Sequence, residues 1–198
     1  MRLRAIAWID VACKLVLFAL LAVAIVFPEL DQFSGKAFGA RAIMYPIAVL
    51  VVPAAWLLLG RRRGARFPFD VDLLVTLPFL IDVLGNAFDL YDTLDWWDDA
   101  NHLVNWAILS AGFGRLLVRS SLGRLYVWAL VTGFGAVTAI LWELAEYVAF
   151  IRDSPELATA YEDTLGDLSL GTLGSMVAGL ITVWALGRAR SMSPVDAA

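Results

Sequence analysis

Long apolar runs alternate with short polar segments along the whole chain. A transmembrane helix needs about 20 mostly apolar residues, because the hydrocarbon core of a bilayer is about 30 Å thick. Six segments meet or approach this length, and the third of them is the most polar. They cover about residues 5–27, 42–59, 71–91, 100–118, 125–151 and 165–186. The pattern therefore predicts an all-α, polytopic transmembrane helical bundle with about six spans, formed by residues 1–198 as a single domain.

The composition agrees with a membrane protein. Hydrophobic residues make up 61% of the 198 positions and charged residues 17%, whereas soluble domains contain about 45–50% and 25%. A soluble protein of this length cannot hide so much apolar surface, so lipid must cover part of it. The bilayer is thus the partner that the sequence implies, and no pattern indicates nucleic-acid binding.

Basic residues are distributed unevenly between the two predicted sides of the membrane. Cytoplasmic loops of inner-membrane proteins carry an excess of lysine and arginine. In a six-span alternation most basic residues fall on one side, and only Lys36, Arg41 and Arg152 fall on the other. This asymmetry predicts a bacterial inner (cytoplasmic) membrane protein with its N-terminus and C-terminus in the cytoplasm. The outward loops are then residues 28–41, 92–99 and 152–163.

The first apolar segment has a second interpretation. Basic residues precede it, and Ala22-Val23-Ala24 lies near its end, as in a signal peptide with a small-residue cleavage site. Asp10 and Lys14 interrupt its apolar core, and their i, i+4 spacing favours an ion pair. We therefore favour an uncleaved span, whereas cleavage would leave five spans in the same orientation.

Polar and ionisable residues recur within the third to sixth segments. An ionisable side chain at the centre of a span costs about 2.5–3.5 kcal/mol on insertion scales, so such residues usually face the bundle interior. In chain order they are Asp82, Asn86, Asp89, Asp98, Asp99, His102, Asn105, Glu143, Glu146, Asp163 and Asp167. Asp82, Asn86 and Asp89 share one helical face through their i, i+4, i+7 spacing. Each of the third to sixth segments contributes one group of these residues. In a six-span alternation all four groups lie in the outer halves of their helices, so we expect a site on the non-cytoplasmic side.

Carboxylates at a similar depth repel each other unless something compensates their charge. The few basic residues on the outer side offer little compensation, so a bound cation or shared protons must supply it. A cation is the more economical solution, because acids and histidine at i, i+3 and i, i+4 spacing are good metal ligands in helical bundles. The candidate ligands are Asp98, Asp99, His102, Glu143, Glu146, Asp163 and Asp167. This oxygen-rich set suits Mg, Mn, Ca or Fe, and Zn fits if three ligands leave a position open.

Three short motifs carry a family resemblance. They are Asp98-Asp99-Ala100-Asn101-His102, Glu143-Leu144-Ala145-Glu146 and Asp163-Thr164-Leu165-Gly166-Asp167-Leu168. In order and spacing they resemble the YjdF-like bacterial inner-membrane proteins, a family of unknown function, and more distantly the VanZ-like proteins. The resemblance covers roughly residues 70–187 and implies that the acids and His102 form one site. The chain departs from the family pattern at Trp106, Leu165 and Leu168, where the family has Gly, Gln and Met.

These residues favour a metal-dependent hydrolase or transferase. A metal held by His102 and the acids would activate water or polarise a phosphoryl or acyl group, with Glu143 or Glu146 as the general base. Because the site opens near the head-group level, the substrate would be a lipid or an envelope precursor. Two alternatives stay open: a non-enzymatic accessory subunit with a structural cation site, and a proton- or cation-coupled transporter that uses Asp82. The transporter is disfavoured because Asp72 is nearly alone on the inner half of the third segment.

Purely structural roles are also open for several of these residues. His102 can hydrogen-bond to Asp98 or Asp99 inside the bundle, and Asp98, Asp99 and Asp163 can cap helix N-termini. The glycines of the sixth segment, such as Gly174, are expected to permit close helix packing.

Overall fold

The computed structural model describes residues 2–149 and 151–191, and every regular element within those ranges is helical. The helices are α1 Arg2–Val26, α2 Phe38–Val49, α3 Val51–Ala55, α4 Phe69–Ala87, α5 Leu90–Thr93, α6 Trp97–Leu117, α7 Arg124–Ala149 and α8 Ala160–Ser191. Short helical turns extend α3 and link α7 to α8, and they comprise Trp56–Gly60, Arg61–Arg63, Ile151–Asp153 and Pro155–Ala158. The predicted all-α fold is confirmed. Residues 1, 150 and 192–198 of the predicted domain lie outside the described residues.

In the described part of the chain, four helical segments are long and apolar enough to cross a bilayer. They are Arg4–Val26, Phe38–Arg63, Arg124–Asp153 and Ala160–Ala189. These segments correspond to the first, second, fifth and sixth predicted spans. The third and fourth predicted spans form α4 and α6, which have 19 and 21 residues but are too polar to qualify by composition.

The polarity of α4 and α6 is explained by their position in the bundle. α4 packs against α1, α2 and α6, and α6 packs against α4, α7 and α8. Their buried polar residues are Asp72, Thr76, Asp82, Asn86, Asn101, His102 and Ser110. The other helices expose large aliphatic side chains, among them Leu15, Ile43, Leu141 and Leu180. Polar groups inside and apolar groups outside are the arrangement expected for a bundle surrounded by lipid.

Two apolar clusters hold the helices together. One joins α1, α2 and α4 and includes Leu17, Tyr45 and Val83. The other joins α7 and α8 and includes Val127 and Leu186. Because lipid tails are as apolar as these side chains, close packing rather than transfer from water stabilises such contacts.

The second predicted segment contains Pro46 and Pro53. Pro46 lies inside α2 without breaking it, and the break between α2 and α3 falls just before Pro53. α2 ends at Val49 and α3 begins at Val51. Pro53 has no N–H to donate to the carbonyl of Val49, and its ring crowds that carbonyl. The segment therefore consists of two helical pieces.

α4 ends at Ala87, before the predicted boundary at residue 91. Asp89 adopts a left-handed conformation with a φ of 58°, which Asp tolerates better than most residues. The expected common helical face of Asp82, Asn86 and Asp89 is therefore wrong for Asp89, because the chain leaves the helix before reaching it.

A buried ion cluster joins α1 to α4. The ammonium of Lys14 lies 2.6 Å from Oδ1 of Asp10, which confirms the predicted pair. It also lies 2.9 Å from Oδ2 of Asp72 and donates to the hydroxyl of Thr76 at 2.9 Å. Asp72, which is nearly alone on the inner half of its own predicted segment, thus receives a cation and a second carboxylate from α1.

α8 approaches the backbone of α6 closely at Gly174. A Cβ atom at this position would overlap the carbonyl oxygen of Leu103 and lie 3.1 Å from the nitrogen of Ala107. The expected role of Gly174 in close helix packing is confirmed. The contact fixes α8 against the helix that carries His102.

A Gly174→Ala variant is expected to lose about 1–3 kcal/mol of stability, the usual cost of forcing atoms into a packed contact. Gly166→Ala is the matched control, because it lies in the same helix and nothing is within 4 Å of the added Cβ. That control is expected to be neutral or to gain up to about 1 kcal/mol of helix propensity. Thermal unfolding in detergent measures both variants. Equal unfolding midpoints would contradict the tight contact between α6 and α8.

Candidate functional site

A cavity of about 390 Å³ lies at one end of the bundle, where α4 and α7 end and α2, α6 and α8 begin. The candidate residues that line it are Asp82, Asn86, Asp98, His102, Asn105, Glu143, Glu146, Asp163 and Asp167. Asp89 and Asp99 are not among its lining residues, and the side chain of Asp99 is exposed. The tertiary structure thus brings together all but two of the candidate residues.

His102 lies between two groups of carboxylates. Its side chain is only 10% exposed. Nε2 is 3.5 Å from Oδ1 of Asp167 and 3.7 Å from Oδ1 of Asp98. Nδ1 is 3.9 Å from Oε1 of Glu143. Each ring nitrogen therefore faces at least one acid.

Two buried atoms at this position have no hydrogen-bond partner within the described part of the chain. They are Nδ1 of His102 and Oε1 of Glu143, and their separation of 3.9 Å is too long for a hydrogen bond. The other carboxylate oxygen of Glu143 accepts a hydrogen bond from the hydroxyl of Thr164 at 3.3 Å, which orients the group. A buried polar atom without a partner costs about 1–3 kcal/mol. Nδ1 and Oε1 are therefore suited to receive a ligand.

Among the residues that the structure describes, two sets of side chains have the spacing to hold a cation, and His102 belongs to both. One set is Asp98, His102 and Asp167, and the other is His102, Glu143 and Glu146. Within each set the ligand atoms lie within 4.8 Å of one another. Ligand atoms bound at about 2.0–2.6 Å from one ion have such separations. Either set fits a divalent cation. The tautomer of neutral His102 decides between them, because only the ring nitrogen without a proton can bind the ion.

Asp98, Asp99 and Asp163 do not act as helix caps. The residue that precedes α6 is Trp96, and it makes no side-chain cap. Asp98 and Asp99 lie within the first turn of α6, and Asp163 lies within the first turn of α8. Acids at these positions are favoured by the helix dipole, which lowers the cost of collecting negative charge here.

Asp82 forms a separate polar network in the wall of the cavity. Its Oδ2 accepts hydrogen bonds from the hydroxyl of Tyr45 at 2.5 Å and from Nε of Arg41 at 3.2 Å. Its Oδ1 accepts a hydrogen bond from the hydroxyl of Tyr91 at 2.8 Å. Arg41 thus compensates the charge of Asp82. The expectation that basic residues offer little compensation is wrong for this carboxylate.

Asn86 and Asn105 make hydrogen bonds within their own helices. Asn86 Nδ2 donates to the backbone carbonyl of Asp82 at 3.0 Å. Asn105 Nδ2 donates to Oδ1 of Asn101 at 2.8 Å. Both residues therefore support the cavity wall.

Lys36 and two acids form an ion cluster at the edge of the cavity. The ammonium of Lys36 donates a hydrogen bond to Asp92 and lies 4.0 Å from Oδ1 of Asp89. This bond lowers the pKa of the Asp92 carboxyl below its usual range. Asp89 therefore belongs to a partly exposed ion cluster and not to the group around His102.

Residues 13–188 match a protein family described as "Predicted membrane protein (DUF2238)". The chain belongs to this family. No curated protein and no solved structure matches it. Together with the four apolar helical segments, membership identifies a multi-pass membrane protein. The DUF2238 match begins within α1 and so includes Arg41 and Tyr45, which lie outside the motif-bearing residues 70–187.

Several cavity residues of this DUF2238 protein could not be recognised from the sequence. Arg41, Tyr45, Tyr91 and Trp142 all line the cavity. Three of them are aromatic residues, for which packing is the ordinary expectation. Among these four residues, only Arg41 carries a sequence signal for the cavity. A basic residue at the outer end of a predicted span needs an anionic partner, which indicates that Arg41 faces the acids.

Proposed function

We propose that this DUF2238 protein crosses a bacterial inner membrane six times, with both termini in the cytoplasm. α4 and α6 contain 19 and 21 residues, so they would be about 29 and 32 Å long at 1.5 Å per residue. These lengths match the hydrocarbon core of about 30 Å. The cavity then opens on the non-cytoplasmic side, while basic clusters such as Arg61–Arg63 lie on the cytoplasmic side.

We propose that the cavity binds one divalent cation through His102, Glu143 and Glu146. The observation that carries this proposal is the pair of buried atoms, Nδ1 of His102 and Oε1 of Glu143, which face each other without a hydrogen-bond partner among the described residues. A neutral imidazole has one N–H and one lone pair. Nε2 lies near the carboxylates of Asp167 and Asp98, so the N–H belongs on Nε2. The lone pair is then on Nδ1 and points toward the two glutamates.

Asp167 would support the cation indirectly. Metal-binding histidines usually donate their second N–H to a carboxylate, which fixes the tautomer and makes the other nitrogen a better ligand. Asp167 is 5% exposed, whereas the side chain of Asp98 is 46% exposed. The better-shielded acid is the more effective partner. Three protein ligands would leave coordination positions for a substrate, and Mg, Mn, Ca, Fe or Zn is the expected ion.

The activity we propose is that of a metal-dependent hydrolase or transferase acting on a lipid or an envelope precursor. The cation would supply Lewis-acid chemistry at a phosphoryl or acyl group. Because both glutamates are ligands in this proposal, we assign the role of general base to Asp98. Asp98 lines the cavity and is half-exposed. It would accept a proton from the attacking water. A closed structural cation site, as an accessory subunit would have, is less well supported. The cavity extends from buried His102 to exposed Asp163 and is therefore open to substrate.

Metal analysis tests the proposed site directly. Protein purified in detergent without chelator is expected to contain about one equivalent of divalent metal, and a His102→Ala variant is expected to contain none. Asp99→Asn is the control and is expected to keep the metal, because Asp99 is exposed and does not line the cavity. Circular dichroism verifies folding. Wild-type protein that stays free of metal after incubation with Mn, Zn, Mg and Ca would exclude the metalloenzyme.

A proton- or cation-coupled transporter is the second candidate. The buried cluster of Asp10, Lys14 and Asp72 favours it, because it places ionisable groups in the inner half of the bundle. Proteoliposomes separate the two candidates. A transporter accumulates Mn²⁺ or moves protons across the liposome membrane, and an Asp82→Asn variant loses that activity. A hydrolase leaves both gradients unchanged.

A further inference from the structure

A narrow cleft of about 40 Å³ lies between α2 and α7. Its apolar lining residues are Ala37, Ala40, Met44, Ala145 and Ala149. Four further residues line both the cleft and the large cavity, namely Arg41, Tyr45, Trp142 and Glu146. The cleft therefore borders directly on the cavity, at the side where the proposed metal ligand Glu146 lies.

α2 and α7 expose apolar side chains at or next in sequence to residues that line the cleft. Ile43 and Met44 on α2 are 65% and 42% exposed, and Leu144 and Val148 on α7 are 58% and 56% exposed. In a membrane protein such a surface is covered by acyl chains. A chain lying there has the alanine-lined cleft beside it and the polar cavity behind the cleft. The cleft thus lies between the bilayer and the site.

The charges of the cavity indicate which head group fits. Among the described residues, eight carboxylates and two basic side chains line the cavity. Both basic side chains are paired with acids, Arg41 with Asp82 and Lys36 with Asp92. The proposed cation would balance two of the remaining acids. A surplus of negative charge is left.

Part of that surplus lies at the open end of the cavity. Glu156 and Asp163 are exposed lining residues, and the side chain of Asp98 beside them is 46% exposed. No basic side chain pairs with Glu156 or Asp163 within residues 2–149 and 151–191. A cationic group on the substrate would compensate these acids, whereas a purely anionic head group would be repelled by them.

We propose that the substrate is a zwitterionic phospholipid that enters sideways from the bilayer, an inference that rests on the proposed metal site. One acyl chain lies in the cleft between α2 and α7. The phosphate group of the lipid reaches the cation beside Glu146, with the Arg41 guanidinium nearby. The ammonium group of the lipid lies between the exposed acids Glu156 and Asp163. The order along the molecule, from chain to phosphate to amine, then matches the order from cleft to cation to open end.

Photolabelling with lipid probes tests this route. The protein is placed in nanodiscs that contain phosphatidylethanolamine or phosphatidylglycerol with a diazirine near the ester end of one acyl chain. The diagnostic residue is Tyr45, which lines both spaces and is 1% exposed, so lipid that merely coats the surface does not reach it. We expect labelling of Tyr45 by the ethanolamine lipid and much weaker labelling by the glycerol lipid. Ala145→Trp fills the cleft and is expected to abolish this labelling, while Val137→Trp, on the exposed surface of the same helix, leaves it unchanged.

The metal content of the same samples separates this inference from the proposed function. Ala145→Trp protein that keeps its metal but loses labelling supports the lateral route. Labelling confined to surface residues such as Ile43, or a cross-link between two copies of the chain at the cleft, would overturn it. Equal labelling by the two lipids would overturn the role of the ammonium group. Wild-type protein without metal that is still labelled at Tyr45 would overturn the metal site but leave the lipid route standing.

Discussion

Replacing Lys14 with methionine is expected to destabilise the protein by about 3–5 kcal/mol, the usual effect of removing one partner from a buried charge cluster. Lys14 is the cation between Asp10 and Asp72, whose side chains are 3% and 2% exposed. The cluster already carries one more negative than positive charge, and Oδ1 of Asp72 has no hydrogen-bond partner in the described part of the chain. Removal of the ammonium would leave two acids together in a bundle interior that solvates them poorly. We expect the variant to unfold at a much lower temperature in detergent.

Asp72→Asn is the informative comparison for this cluster. It removes the surplus negative charge and leaves Lys14 paired with Asp10, so its stability is expected to stay within about 1 kcal/mol of the wild type. Arg152→Met, which breaks an exposed pair with Asp153, is expected to cost no more than about 1 kcal/mol. If Asp72→Asn costs as much as Lys14→Met, the cluster is an ordinary salt-bridge network, and the charge imbalance has no energetic effect.

Replacing Glu143 with glutamine is expected to weaken divalent-metal binding more strongly than replacing Asp167 with asparagine. Glu143 is proposed as a direct ligand, so its loss is expected to abolish binding at micromolar metal. Asp167 is proposed to act through Nε2 of His102, from which it lies 3.5 Å, and losses of such supporting carboxylates typically cost about 10–100-fold in metal affinity. Titration calorimetry with Mn²⁺ measures both variants against the wild type.

The ranking of these two variants also reports the tautomer of His102. If Asp167→Asn abolishes binding and Glu143→Gln only weakens it, the cation sits on Nε2 between Asp98 and Asp167. Asn105→Ala serves as the control, because Asn105 lines the cavity but belongs to neither ligand set. We expect that variant to bind Mn²⁺ as the wild type does. A loss in the control would indicate that the cavity wall, and not the ligand set, had changed.

Much of the candidate site could be predicted from the sequence because alternation is a strong constraint. Successive spans run in opposite directions, so the end of α4, the beginning of α6, the end of α7 and the beginning of α8 must meet at one level. Position along the segments alone predicts that four candidate residues lie at that level, namely Asp98, His102, Glu143 and Asp167. All four line one cavity. Asp99 lies beside Asp98 at the same end of α6, but its side chain is exposed and does not line the cavity. Hydropathy reports how deep a residue lies in a span and does not report which way its side chain points.

The sequence by itself determined that the chain is helical, that lipid must cover part of it and that acids gather at one end. The tertiary structure alone decided which charges are paired. Arg41 reaches Asp82 from α2, and Lys14 reaches Asp72 from α1, although neither partner is near in sequence. It also decided that Nδ1 of His102 faces Glu143 while Nε2 faces Asp167. The physical reason is that the rotation of each helix about its axis, and the neighbour it meets, depend on side-chain packing between helices. Apolar runs set only the length of each helix and its approximate depth.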